Sequence, residues 1–329
     1  MKILITGASG FIGSFIVEEA LRRGFETWAA VRSSSSRQYL TDERTHFIEL
    51  DLSSEEQLKE QLRPHRFDYV VHAAGVTKCL HKRDFHRINT EGTQHLVNAL
   101  TSLQMPLRSF VYISSLSIMG AIREQRPYTE IVESDTPQPN TAYGKSKLEA
   151  EQWLETQHIP YIILRPTGVY GPRERDYFMM FKSIKAHTDF AVGYCRQDIT
   201  FVYVTDVVQA IFLALEKGKT GRRYFLSDGN VYQSSTFSNM IRRELGNPWW
   251  IRITAPLWLL RIITFCGECM GHLTGKVTAL NNDKYNIMRQ RNWRCDITPA
   301  REELGYDPRV QLEEGVRRSI KWYQENGWL

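Results

Sequence analysis

Tyr143 and Lys147 stand four residues apart in the run Thr141-Ala142-Tyr143-Gly144-Lys145-Ser146-Lys147, so on a helix they share one face, a turn apart. A phenol ordinarily ionises near ~10, and an ammonium beside it stabilises the phenolate. The pair therefore predicts a proton donor or acceptor brought closer to working pH. On an arbitrary helix a Tyr-x-x-x-Lys is a solvated pair, and its surroundings are what make this one chemical. An apolar strand from Ser109 to Ile113 ends at Ser114-Ser115, and ligands of open α/β sheets bind beyond the carboxyl ends of strands. Ser115 is thus expected to hold a substrate oxygen while Tyr143 exchanges its proton.

A second chemical feature opens the chain. The apolar strand Lys2-Ile3-Leu4-Ile5 runs into Thr6-Gly7-Ala8-Ser9-Gly10-Phe11-Ile12-Gly13 and then into a helical stretch from Ser14 to Arg23. Gly7 can take the left-handed angles of a tight turn, Gly10 leaves no side chain between backbone and ligand, and Gly13 lets helix and strand approach closely. Unpaired amides at the start of that helix, at the positive end of its dipole, suit a dinucleotide pyrophosphate held over Ser9, Gly10, Phe11, Ile12 and Gly13. The plain alternative is a structural turn with spare glycines.

The elements that follow have the order of a dinucleotide-binding unit. An apolar run from Thr27 to Val31 ends at Arg32-Ser33, where such a unit meets the adenosine ribose, and the acidic residue that would bind the ribose hydroxyls is missing. Arg32 with Ser33, and Arg37 as a further candidate, instead suits a 2′-phosphate, which favours NADP(H) while leaving NAD(H) open. The alternative for Arg32 is a solvated strand end. A third strand, His46 to Leu50, leads to Asp51-Leu52, placed for the adenine, and a polar helix follows around Ser54 to Leu62. A fourth, Asp68 to Val71, ends in His72-Ala73-Ala74-Gly75, small residues that let backbone approach a flat nucleotide. His72 is expected to be packed and hydrogen-bonded. Phe85 to Leu103 predicts a long amphipathic helix with Asn89 near its start, and a polar loop, Arg123 to Thr141, leads to the helix of Tyr143.

Chain-wide properties narrow the class. With 329 residues and 42% hydrophobic content, the chain can bury one large α/β core and a smaller appended lobe. The formal charge of +5 comes from scattered Lys and Arg, and the densest run, His81-Lys82-Arg83, is too short for a nucleic-acid surface. Five cysteines form no regular framework and Met1-Lys2-Ile3 enters a strand directly, which together predict a cytoplasmic location. Cys266-Gly-Glu-Cys269 lacks a matching second pair, so packing thiols are expected there and no metal is assigned.

Taken together the motifs resemble the extended short-chain dehydrogenase/reductase family, which also contains sugar-nucleotide epimerases and dehydratases. The resemblance covers most of the chain. It is carried by Gly7, Gly10 and Gly13, Asp51-Leu52, Ala73-Ala74-Gly75, Asn89, Ser114-Ser115, Tyr143 with Lys147, and Leu164-Arg165-Pro166-Thr167-Gly168-Val169-Tyr170-Gly171-Pro172, in the family's order. It implies that Tyr143 exchanges the substrate proton, that Lys147 also binds the nicotinamide ribose, that Ser115 orients the carbonyl or hydroxyl, and that the loop Pro166, Thr167, Gly168 and Val169 backs the nicotinamide. It also implies a homodimer through the helices that begin near Asn89 and Tyr143.

Two departures point within the family. Sugar-nucleotide dehydratases carry an Asp-Glu pair directly after the catalytic Ser or Thr, where this chain has Leu116 and Ser117. Many epimerases hold a pyrophosphate with an Asn where Gly168 stands. The wording here is more similar to the hydroxysteroid dehydrogenase and dihydroflavonol reductase branch. The C-terminal half is apolar for a lobe gripping a sugar diphosphate: Trp249-Trp250 and the run from Ala255 to Phe265 could line a pocket, rest on a membrane interface, or complete the lobe as a buried helix.

The expectation is an α/β protein. A Rossmann-type doubly wound parallel sheet over residues 1–172 would carry a smaller substrate lobe over 173–329, with segments around 199–217 returning to the core. The expected activity is hydride transfer between NADP(H) and a secondary alcohol or ketone on a steroid-like or keto-lipid substrate. The rivals are an epimerase that retains NAD and a non-catalytic NADP-binding protein.

Overall fold

A computed structural model describes residues 1–275, 278 and 281–329. The first half alternates strand and helix: β1 (Lys2–Thr6), α1 (Phe11–Arg22), β2 (Glu26–Val31), β3 (His46–Glu49), α2 (Glu55–Leu62) and β4 (Tyr69–His72). Then come α3 (Lys82–Phe85), a π-helical turn (His86–Glu91), α4 (Gly92–Ser102), β5 (Ser109–Ile113), α5 (Ala142–Leu154) and β6 (Tyr161–Pro166). The helix expected from Phe85 to Leu103 therefore runs through a π turn, and Asn89 sits in that turn. Such turns shift the register of a helix by one residue and are frequent at functional sites.

The second half adds β7 (Gly168–Tyr170), α6 (Phe178–Lys185), β8 (Thr188–Val192), β9 (Asp198–Ile199), β10 (Phe201–Tyr203), α7 (Val204–Lys217) and β11 (Arg223–Leu226). It closes with β12 (Tyr232–Gln233), α8 (Ser234–Glu244), β13 (Ile251–Ala255), α9 (Leu257–Thr274), α10 (Asn282–Arg289) and α11 (Leu312–Glu325). The main sheet has seven strands, all parallel, in the order β11-β6-β5-β4-β1-β2-β3. Its central strands β1, β4, β5 and β6 are nearly continuous runs of buried residues, as expected when both faces are covered.

Two apolar layers cover the sheet. On one side Ile3, Ile5, Val71, Val111 and Leu164 meet α1 and α7 through Ile16, Val17, Val207 and Ile211. On the other, Leu4, Val70, Phe110 and Ile163 meet α2, α4 and α5 through Leu58, Leu96 and Leu154. A third core, around Tyr170, Phe181, Phe201, Phe237, Val316 and Tyr323, belongs to the C-terminal lobe. The strand order reverses between β1 and β4, and there the loops after both strands face each other, which is where an open sheet of this kind takes a ligand.

The lobe's apolar stretch forms α9, and only one side of it is covered. Leu260 and Thr264 are buried, whereas Trp258, Ile262, Phe265 and Leu273 are exposed. Cys266 and Cys269 lie among the exposed residues as free thiols, so the packing role expected of them is wrong. Apolar residues lie on two opposite sides of the helix, with Arg261 and Glu268 on one flank between them, so sequence pattern does not say which side is covered.

Candidate active site

The glycine loop is shaped by what its backbone must pass. Gly7 has φ +68°, and a Cβ there would lie 2.7 Å from Ala73 C and Ala74 N. This is the contact between the two loops at the sheet's switch point. A Cβ on Gly13 would fall 2.0 Å from the carbonyl oxygen of Gly7, so the first turn of α1 can close onto the loop only with glycine at that position. Gly10 is exposed and is the N-cap of α1; no side chain caps the helix and no acidic residue lies in its first turn. The first amides of α1, around Phe11, Ile12 and Gly13, are thus left to an anion, with Ser9 half-buried beside them. A pyrophosphate fits this cradle.

The other loops assemble around the same point. Thr6 Oγ1 accepts the N–H of Ala74 at 3.2 Å and contacts His72 Nδ1 at 2.7 Å, while His72 Nε2 reaches Thr93 Oγ1 at 3.0 Å. His72 is wholly buried and its pKa is pushed down to about 3, first by burial and then by Lys147. It is a packed neutral ring, as expected. Gly75 is a second place where a side chain is excluded: a Cβ would lie 3.0 Å from Asn89 Oδ1 and 3.3 Å from Lys147 Nζ. Asn89 is buried and bridges two elements, accepting from Val76 N at 2.8 Å and donating to Ser146 Oγ at 3.0 Å.

Arg32 and Ser33 are exposed at the end of β2, where Ser35 Oγ accepts the N–H of Arg32 at 3.0 Å and closes a turn. Asp51 is exposed across from them; hydrogen bonds from Ser53 lower its pKa, and the positive charge of Arg32 adds to the effect. Leu52 lies beside it, its carbonyl 2.9 Å from His95 Nδ1. Arg37 instead lies over the ring of Phe47, 4.4 Å from its centroid.

Ser115, Tyr143 and Lys147 meet beyond β5. Ser115 Oγ accepts the N–H of Ser117 at 3.1 Å and lies close enough to the half-buried Tyr143 phenol to lower its pKa. Thr141 caps α5 by accepting from Gly144 N at 2.9 Å, which fixes the helix start one residue before Tyr143. Lys147 is buried; its Nζ donates to Ile113 O at 2.8 Å and lies 4.7 Å from the centroid of the Tyr112 ring. Burial lowers its pKa to about 8, with Glu151 opposing that shift. Glu151 is itself held by a buried Arg165, Nη2 to Oε2 at 2.5 Å.

One expectation fails here. The pKa of Tyr143 is pushed up to about 12, because burial disfavours the phenolate more than Ser115 favours it. The Lys147 ammonium is directed at the Ile113 carbonyl and the Tyr112 face. The Tyr143 phenol therefore stays protonated near neutral pH.

The loop after β6 departs in detail too. Pro166 is buried, and Val169 is half-buried in β7. Thr167 Oγ1 turns to the Thr200 carbonyl and hydroxyl, at 3.0 and 2.8 Å. A Cβ on Gly168 would lie 2.3 Å from the Tyr177 hydroxyl. Sequence reasoning missed Tyr177, Phe85, whose ring meets that of Tyr143 edge-on at 6.3 Å, and Asp283 of α10, which accepts the N–H of Ala142 at 2.8 Å. None has a local signal, because each comes from another element. Among the described residues, no group of three or more His, Cys, Asp or Glu converges as a metal site would require.

The chain is similar to known proteins over nearly its whole length. Residues 3–227 match the model of the NAD dependent epimerase/dehydratase family. The chain is 25% identical to human dTDP-D-glucose 4,6-dehydratase over 99% of this chain and 90% of that protein. It is 26% identical to a 4-hydroxy-2-methyl-3-oxo-4-farnesyl-3,4-dihydroquinoline-1-oxide ketoreductase of Stigmatella aurantiaca over 96% and 95%. The fold superposes on UDP-glucose 4-epimerase of Thermotoga maritima with a TM-score of 0.79, at 23% identity and 99% coverage of both chains.

Proposed function

Because the chain belongs to the NAD-dependent epimerase/dehydratase family, we propose that it is a reductase or dehydrogenase. It would exchange a hydride between NADP(H) and a secondary alcohol or ketone on a largely apolar substrate. The observation that carries the substrate class is the glycine at position 168. Where many epimerases hold a pyrophosphate with Asn this chain has no side chain, and a Cβ there would require the Tyr177 hydroxyl to move aside. The positions of the dehydratase carboxylates carry no acid: Leu116 is buried, and the backbone N–H of Ser117 donates to Ser115 Oγ. The similarity to a ketoreductase whose named substrate bears a farnesyl chain points the same way.

The bound dinucleotide would supply or accept the hydride. In the reducing direction the Tyr143 phenol, protonated at neutral pH, donates to the substrate oxygen, and Ser115 holds that oxygen in line. Lys147, with a pKa of about 8, keeps a positive charge beside Gly75, where it can bind a ribose hydroxyl. The amides around Gly10 hold the pyrophosphate, and Arg32 with Ser33 meets the 2′-phosphate. An apolar skeleton contributes about 25 cal/mol per Å² buried, before the costs of ordering, so affinity should follow apolar area.

The test is consumption of NADPH against a panel of keto-lipids, steroids and nucleotide sugars, with binding measured in parallel. Turnover of an apolar ketone is the expected result. Micromolar binding of a UDP-sugar with no affinity for the apolar ligands would instead make the protein an epimerase. Cofactor binding with no consumption on any substrate would make it non-catalytic.

A further inference from the structure

Helix α9 has two apolar sides, and the fold uses one. At 100° per residue, Leu260, Thr264 and Gly271 fall on one line along the helix, and all three are buried. Trp258, Ile262, Phe265, Cys269 and Leu273 fall on the opposite line, and all five are exposed, Leu273 to 88%. The apolar surface continues into the strand pair that leads to the helix. In the parallel register of β8 and β13, Phe190 lies beside Ile253, both exposed, and only Pro256 separates β13 from α9. A monomer in water does not gain from a surface of this kind, and contiguous apolar patches of this extent mark interaction sites.

Charge says what covers it. Between residues 247 and 291 the sequence holds six Lys or Arg against two carboxylates, and Arg252 is paired with Asp189 of the neighbouring β8 at 3.4 Å, which leaves a net excess of three positive charges over these segments. Both carboxylates are turned inward: Glu268 accepts the N–H of Asn282 at 3.3 Å, and Asp283 accepts that of Ala142 at 2.8 Å. Arg261 is exposed at the flank of the apolar line, where a long side chain can lay its stem on the apolar surface and keep its charge in water. No helix among the described residues is long and apolar enough to cross a membrane, and α9 with 18 residues is about 27 Å long, suited to lying in an interface.

We propose that the outer side of α9, with the adjoining faces of β8 and β13, docks on the surface of an anionic phospholipid bilayer, Trp258, Ile262 and Phe265 entering the acyl boundary. This docking is independent of the hydride chemistry and is read without substrate.

The full-length protein would be sedimented with phosphatidylcholine vesicles, with and without phosphatidylglycerol. The expected result is binding to the anionic vesicles at least about tenfold stronger than to the neutral ones, weakened by salt. Ile262→Asp with Phe265→Asp should lower that binding by at least about tenfold with an unchanged circular dichroism spectrum. Should the double variant fold poorly, the unmodified protein still decides, because Trp258 emission should shift to the blue on anionic vesicles, a change that Trp258→Phe abolishes. No binding to anionic vesicles, or equal binding to neutral ones, overturns the proposal. So does a dimer, seen by analytical ultracentrifugation, that Phe265→Asp dissociates in a protein that ignores vesicles, since the patch would then face a second copy.

Discussion

The Asp283 carboxylate accepts the backbone N–H of Ala142 at 2.8 Å, so the helix that carries Tyr143 and Lys147 is capped from an element 141 residues further along the chain. Burial raises the pKa of Asp283, and hydrogen bonds from Ala142 and Tyr143 oppose the rise. The C-terminal lobe thereby holds the start of α5 in place. Asp283→Ala should lower kcat several-fold, leave NADPH affinity within about twofold, and cost roughly 1 kcal/mol of stability in urea unfolding, as loss of a cap does. Asp283→Asn should retain most activity. Wild-type kcat in the alanine variant would show that the cap does not position Tyr143.

Tyr143→Phe removes the phenol that stands beside Ser115. Turnover should fall by about 10²-fold or more with cofactor binding nearly unchanged, measured by steady-state kinetics and NADPH fluorescence titration. Ser115→Ala should also slow the reaction, whereas Ser114→Ala should not. Ser114 Oγ is buried without a hydrogen-bond partner, so a damaging Ser114→Ala would move the assignment to it.

Arg32 is exposed, and its nearest electrostatic consequence is at Asp51. A charge-assisted contact to a 2′-phosphate is worth about 1.5 to 3 kcal/mol, so Arg32→Ala should weaken NADPH roughly ten- to a hundredfold and leave NADH almost untouched. Isothermal titration with both cofactors decides; equal losses would return Arg32 to solvent.

His72 links stability to acid. Its folded pKa of about 3 lies below the ordinary 6.5, so below 6.5 the unfolded chain binds a proton that the folded chain does not. The contribution is fully present above pH 6.5 and is lost as pH falls towards 3, at up to about 1.4 kcal/mol per pH unit. His72→Gln should flatten that slope in urea unfolding between pH 6 and 4, and an unchanged slope would show that other groups carry the acid sensitivity.

What could be read from the sequence was what is local. The glycine loop, the Ser114-Ser115 strand end and the Tyr143–Lys147 spacing each sit within a few residues of one turn, so their geometry follows from backbone rules alone. Tyr177 at Gly168, Phe85 at Tyr143 and Asp283 at Ala142 are brought by tertiary packing and carry no local mark. The phenol's pKa is not legible for the same reason: spacing places Lys147 on the face of Tyr143, but burial and the Ile113 carbonyl decide where its charge acts. The covered side of the helix from Leu257 is not legible because apolar residues stand on both of its opposite sides.

The last strand of the main sheet, Arg223–Leu226, pairs with β6 from beyond two-thirds of the chain. A ribosome must therefore release residue 226 before β6 gains its outer neighbour, and until then Ile162, Ile163 and Leu164 form a bare apolar edge open to another nascent chain. The nucleotide-binding half is consequently not a portable cassette. A fragment cut at residue 172 should appear in inclusion bodies, whereas one carried through residue 226 keeps its sheet closed on that side.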